Sequence, residues 1–188
     1  MAKIAIDLNA SLYPMPVTLI GTMVDGRANF LAAAWVSRVN YKPPMIGVAL
    51  GKSHYTNNGI RVSKAFTVNI PSIELIEKAD YCGLATGKTK DKSHLFQLTP
   101  GKITGSPMID ECPLCMECRL VKVVALPSSE LFIGEIVGAC AEEDCCWDNV
   151  PDIAKMRPFV LSMPDNRYWS VGETVGRAWS AGKKLNRS

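Results

Sequence analysis

Ala28-Asn29-Phe30-Leu31-Ala32-Ala33-Ala34-Trp35-Val36, then Pro43-Pro44, then Met45-Ile46-Gly47-Val48-Ala49-Leu50, is the stretch on which the fold turns. Two runs of apolar and small residues flank a proline pair, and each reads as a strand. Gly51-Lys52-Ser53-His54-Tyr55-Thr56-Asn57-Asn58 follows at once, with turn residues first and a helix start after them. Ala32, Ala33 and Ala34 carry little beyond backbone, so a flat molecule can approach the chain before Trp35. Ser53, His54, Tyr55 and Thr56 bring hydroxyls and N–H groups to a helix N-terminus, which favours an anion. Both features together suit a planar ligand that carries a phosphate, and they point to a flavin.

Working outward, residues 17–24 read as a strand, and Asp25-Gly26 after them is a short hairpin signal leading into 28–36. Residues 45–50 and 65–69 are strands bounded by Gly, Pro or Ser. Residues 116–126 and 130–139 are joined by Pro127-Ser128-Ser129, a second hairpin, and 159–162 and 168–171 are short strand candidates. Helical signal is scarce. One helix is expected within 55–64, weakened by Gly59. A second covers 73–81, with Ser72 as N-cap and Glu74 and Glu77 early, and a third covers 90–96. Many strands with few short helices predict a mainly β protein, a barrel or sandwich core decorated by helices. Residues 1–188 read as one domain, with a flexible tail at about 183–188, where Lys183, Lys184 and Arg187 gather.

The net charge of +3 is too small to argue for nucleic acid or a membrane surface. Met1-Ala2-Lys3 leads into a mixed segment, and the apolar run at 17–24 is too short to span a bilayer, so a cytoplasmic protein is expected. The sequence has no Gly-x-Gly-x-x-Gly after a strand, no P-loop and no His-Glu-x-x-His. With His54 and His94 as its two histidines, a histidine-rich metal centre or a Ser-His-Asp triad has little to draw on. Seven cysteines, an odd number without an export signal, read as reduced thiols. Cys112-x-x-Cys115-x-x-Cys118 has zinc-like spacing. If a strand begins near Cys112, however, Cys112 and Cys118 share one face and Cys115 takes the other. Free thiols and no metal are therefore expected, with Cys145-Cys146 a loop pair.

An ordered set of residues then carries a resemblance. It comprises Tyr13-Pro14-x-Pro16-Val17, Gly21-Thr22, Asp25-Gly26-Arg27-x-Asn29, Trp35, Pro43-Pro44 and Ser53-x-Tyr55-Thr56. Phe66-x-Val68-Asn69-Ile70-Pro71, Asp80-x-Cys82-Gly83, Asp91-Lys92, Pro107-x-Ile109-x-Glu111-Cys112-Pro113 and Glu117-Cys118 follow, and Tyr168-x-x-Val171-Gly172-Glu173-x-Val175-Gly176-Arg177-Ala178 closes it. Over about residues 13–182 the chain resembles the flavin reductase-like FMN-binding proteins, and within them the flavoredoxins and their archaeal relatives. The resemblance implies a split β-barrel that binds FMN, usually as a homodimer with the flavin near the subunit interface.

On that resemblance, backbone at Ala32, Ala33, Ala34, Trp35, Val36 and Ser37 runs along the isoalloxazine ring, with Trp35 either packed against it or a large core side chain. Ser53, His54, Tyr55 and Thr56 face the phosphate. Other members often carry arginine where His54 stands, and a partly charged histidine pairs more weakly. Lys92 is a second phosphate candidate, or else part of a solvated run of lysines, and Lys88 in the same run is a further candidate. Asn69 either hydrogen-bonds the flavin or starts the turn at Pro71. Cys82-Gly83 brings backbone to the cofactor, or Gly83 caps the helix ending near Tyr81.

The hard chemistry then belongs to the cofactor, and no side chain is assigned as catalytic. The expected function is a flavoprotein oxidoreductase moving hydride or electrons from a reduced donor, NAD(P)H first, to an acceptor. The alternative is an electron carrier working between redox-protein partners. A cysteine-based metal or partner-binding module would leave Trp35 and residues 53–56 unexplained.

Overall fold

The computed structural model describes residues 1–9 and 13–186. Thr18–Val24 (β1) and Arg27–Ala33 (β2) pair as the hairpin that Asp25-Gly26 announces, with φ of 50° and 77° at those two positions. Val36–Asn40 (β3), Met45–Gly51 (β4), Ala65–Ile70 (β5), Leu114–Ala125 (β6) and Ser129–Ala141 (β7) complete a seven-stranded antiparallel sheet. Its order is β2-β1-β5-β6-β7-β4-β3. The class is mainly β, and the ladder does not close, because β2 and β3 at its two ends are not paired with each other. Phe159–Ser162 (β8) and Arg167–Ser170 (β9) form a smaller antiparallel sheet with Met15–Pro16.

Alternation along the strands feeds two cores. Ile20, Leu31, Val48, Phe66, Val68 and Phe132 fill the inside of the curled sheet. Leu19, Phe30, Ala79, Cys82 and Phe96 pack outside it, beneath the helix Ile76–Leu84. That helix is α2; α1 is Thr56–Ser63, which lies on β1. A Cβ at Gly59 would sit 2.6 Å from the Met23 carbonyl oxygen, so a glycine in mid-helix is what lets α1 approach the strand. Among the described residues, no helix is long and apolar enough to cross a membrane.

Several expectations change. The strand expected over 28–36 stops at Ala33, and the chain bends at Ala34-Trp35, where Ala49 N donates to the Trp35 carbonyl at 2.9 Å. Val36 therefore opens a new strand, β3. Residues 90–96 hold only a 3₁₀ turn, Ser93–Leu95. A 3₁₀ turn at Ile73–Leu75 runs into α2, which continues to Leu84 with Ala85 as its C-cap. Gly83 is thus inside the helix and does not cap it. Cys112 precedes β6 and joins Cys115 in the outer core, while Cys118 faces the inner one. The strand starts at Leu114, so face alternation does not reach back to Cys112. Where a tail was expected, Ala181–Asn186 forms a 3₁₀ turn, and residues 187–188 lie outside the described residues.

Candidate functional site

The start of α1 is fixed from three sides. The Tyr55 hydroxyl donates to Asp25 Oδ2 at 2.6 Å, tying it to the first hairpin turn. Asn29 Nδ2 donates to Thr56 Oγ1 at 2.8 Å, which leaves the threonine's own proton free. Gly87 closes the third side: a Cβ there would fall 1.8 Å from Asn29 Oδ1 and 3.2 Å from the Tyr55 ring. Between these elements lies a cavity of about 210 Å³, walled by residues 53–56 on one side and 83–87 on the other, with Lys92 also lining it. Among the described residues, the N–H groups of Ser53, Tyr55 and Thr56 find no acceptor within the protein, as befits the first turn of a helix.

Lys92 is 2% exposed. Its ammonium donates to the carbonyls of Cys82 at 3.2 Å and Ala85 at 2.6 Å, completing the C-terminal end of α2. An ammonium has three donors, so one remains. No carboxylate pairs with it among the described residues. Burial lowers the Lys92 pKa. Burial, and then the Lys92 charge, also hold the His54 imidazole below its usual value. The result is a cationic nook without an anion of its own.

A second cavity, of about 470 Å³, adjoins the first at His54, which lines both. Ala32, Ala33, Ala34 and Trp35 form one wall, and Ala49, Leu50 and Gly51 another. The His54 ring lies against Gly51, 3.3 Å from where a Cβ would be. Trp35 is 54% exposed and is therefore a rim residue, not core packing. The carbonyls of Ala33 and Trp35 already accept from Thr18 Oγ1 at 2.8 Å and Ala49 N at 2.9 Å. Beyond Trp35 an apolar cleft of about 600 Å³ opens, lined by Val36, Ser37, Val39 and Leu131 among others. The run 32–37 is therefore shared between two clefts that meet at Ala34 and Trp35.

Three of the expected site residues lie elsewhere. Asn69 is fully buried: its amide donates to the Leu19 carbonyl at 2.9 Å and Thr67 Oγ1 at 3.0 Å and accepts from Ile109 N at 3.1 Å. It stitches β5 to its neighbours and has nothing left for a ligand. The Cys82 side chain points into the outer core, and burial pushes its thiol up to about 11. Only its carbonyl reaches the site, through Lys92. Lys88 is exposed and lines none of these cavities. Conversely, sequence reasoning missed Ala85, Thr86 and Gly87 in the nook, and Ser128, Ser129 and Met163 in the wider cavity. The Thr86-Gly87 turn signal was visible; Met163 comes from 128 residues after Trp35 and left none. Among the described residues, no group of three or more Cys, His, Asp or Glu side chains converges as a metal site.

Comparison with known proteins agrees with this architecture. Residues 10–146 match the family described as flavin reductase like domain. The flavoredoxin of Methanosarcina acetivorans superposes with a TM-score of 0.96 at 49% identity, covering 98% of this chain and 100% of that one. The flavoredoxin of Desulfovibrio vulgaris (Miyazaki F) gives 0.89 at 36% identity, covering 97% and 100%. An uncharacterized protein of Archaeoglobus fulgidus is 34% identical over 155 residues, which is 81% of this chain and 86% of that protein.

Proposed function

The chain belongs to the flavin reductase-like domain family, and from that premise we propose that it is an FMN-dependent oxidoreductase of the flavoredoxin type. One observation carries this reading: two adjoining cavities meet at His54, one walled by small residues and the other holding a buried lysine without a carboxylate. Small walls suit a flat ring, and the cationic nook with free N–H groups suits a phosphate monoester. When bound, the flavin supplies the hydride and electron chemistry. The chain's residues do the rest. Ala32, Ala33, Ala34 and Trp35 set the depth of the ring cleft, and Trp35 shields its rim. Ser53, His54, Tyr55, Thr56 and Lys92 hold the phosphate. NAD(P)H is the proposed donor, in a reducing cytoplasm consistent with seven free cysteines.

A second reading, an electron carrier between protein partners, is favoured by the apolar cleft beside Trp35. Among the described residues, no lysine or arginine lines that cleft to hold a dinucleotide's pyrophosphate. The same apolar cleft supports a homodimer, which light scattering tests: twice the mass of one chain is expected, and a monomer would contradict it. Donor identity is tested by anaerobic addition of NADH or NADPH to flavin-loaded protein. Bleaching of the flavin bands is the result expected of a reductase. Bands that persist until dithionite is added would overturn the nicotinamide donor in favour of the carrier.

A further inference from the structure

Four of the seven cysteines lie near one another, and the flavin reading uses none of their thiols. Cys82, Cys112 and Cys115 share the outer core, and Cys140 stands directly opposite Cys115 across the β6–β7 ladder. Opposed residues in an antiparallel pair carry their side chains on one face, with Cβ atoms about 4.5–5.5 Å apart, so closing a disulfide, which spans about 3.5–4.5 Å, takes a small local approach. Their Cα atoms are about 4.5 or 5.5 Å apart depending on the pair type, and both values fall within the span a disulfide bridges. Cys115 is 4% exposed while Cys140 is exposed to solvent, and both thiols are free. Burial first, and then Cys140 beside it, push the Cys115 thiol up to about 12. Its hydrogen is held by the carbonyls of Ile109 at 3.4 Å and Cys112 at 3.7 Å. An accessible thiol thus faces a sheltered one across the ladder, close enough to perturb it.

We infer that Cys140 and Cys115 form a reversible cross-strand dithiol–disulfide pair whose oxidant is a low-molecular-weight disulfide entering at Cys140. The Cys140 thiolate attacks one sulfur of the small disulfide, and one small thiolate leaves. The Cys115 thiolate then attacks Cys140 Sγ in the resulting mixed disulfide, and the second small thiolate leaves. The two protons given up by the cysteines end on the two small thiols. The protein loses two electrons and the small disulfide gains two. The second step is the slower one, because a buried thiol ionises reluctantly. The pairing does not depend on a bound flavin.

The test treats the folded, full-length protein with 2-hydroxyethyl disulfide and follows it by intact mass and by peptide mapping after alkylation. The expected end state is the loss of two of seven free thiols per chain, a 115–140 cross-linked peptide, and restoration by dithiothreitol. Cys140→Ser, at an exposed position, is expected to lose no thiols over the same period. Cys115→Ser is expected to stop at a stable adduct on Cys140. A wild-type protein that stops at that same adduct would overturn the proposal, as would a cross-link to Cys112, Cys145 or Cys146.

Discussion

Lys92 is the residue on which the proposed phosphate nook depends, because it brings a buried charge whose two protein contacts are neutral carbonyls. Replacing it with methionine keeps the stem and removes the charge. Lys92→Met is expected to weaken FMN binding by roughly 10- to 100-fold, the value of about 1.5–3 kcal/mol for a hydrogen bond to a charged group. Riboflavin, which lacks the phosphate, should bind the variant and the parent alike; fluorescence titration of both flavins checks this. On the proposed reading His54 contributes less, since burial and then Lys92 disfavour its charged form. His54→Arg places a permanent charge there and is expected to tighten FMN by roughly tenfold, worth about 1.4 kcal/mol at one charge-assisted bond. An unchanged FMN affinity in that variant would remove His54 from the phosphate site. Lys92 also shows the limit of sequence reading at this scale. It sits in a run of lysines that looks solvated, and only the position of α2's last carbonyls reveals that it is buried. Asn69 misled in the opposite direction, because its partners Leu19 and Ile109 are 50 and 40 residues away.

At the scale of elements, two close approaches decide stability. The loop after Gly101 wraps the buried Glu117 carboxylate, whose Oε2 accepts from Ile103 N at 3.0 Å, Thr104 N at 2.9 Å and Thr104 Oγ1 at 3.1 Å. Burial works to raise the Glu117 pKa, but these bonds outweigh it and hold the carboxyl below its ordinary 4.5. A lowered native pKa means the loop's contribution is full above about pH 4.5 and is lost as pH falls through the native value. Glu117→Gln is expected to cost about 1–3 kcal/mol at pH 7 by urea denaturation. The difference from the parent should shrink in acid. Gly59→Ala tests the other contact. Alanine gains about 1 kcal/mol of helix propensity. Its Cβ would meet backbone oxygen at 2.6 Å, and overpacking of this kind costs about 1–3 kcal/mol, so a lower melting temperature is expected. Elements themselves were largely legible. Asp25-Gly26 and Pro127-Ser128-Ser129 each announced a real hairpin, because turn chemistry is local. The break at Ala34-Trp35 was not legible, since the Ala49 N–H that fixes it comes from another strand.

At the scale of the whole molecule, the fold brings the β2–β3 bend, the entry to α1 and the loop after α2 to one place. The two ends of this site were readable as motifs, small residues before Trp35 and Ser53 to Thr56 at a helix start. That they adjoin was not readable, because the curl of a seven-stranded sheet sets their separation. The third component, residues 85–87, reaches the site only through the packing of Gly87 on Asn29 and Tyr55. Direct evidence for this arrangement would come from the absorbance spectrum of the purified protein after incubation with FMN and gel filtration. One FMN per chain, carried through the column by the parent and lost from Lys92→Met, is the result expected. Absence of flavin bands from the parent after that incubation would contradict the assignment of this site to FMN.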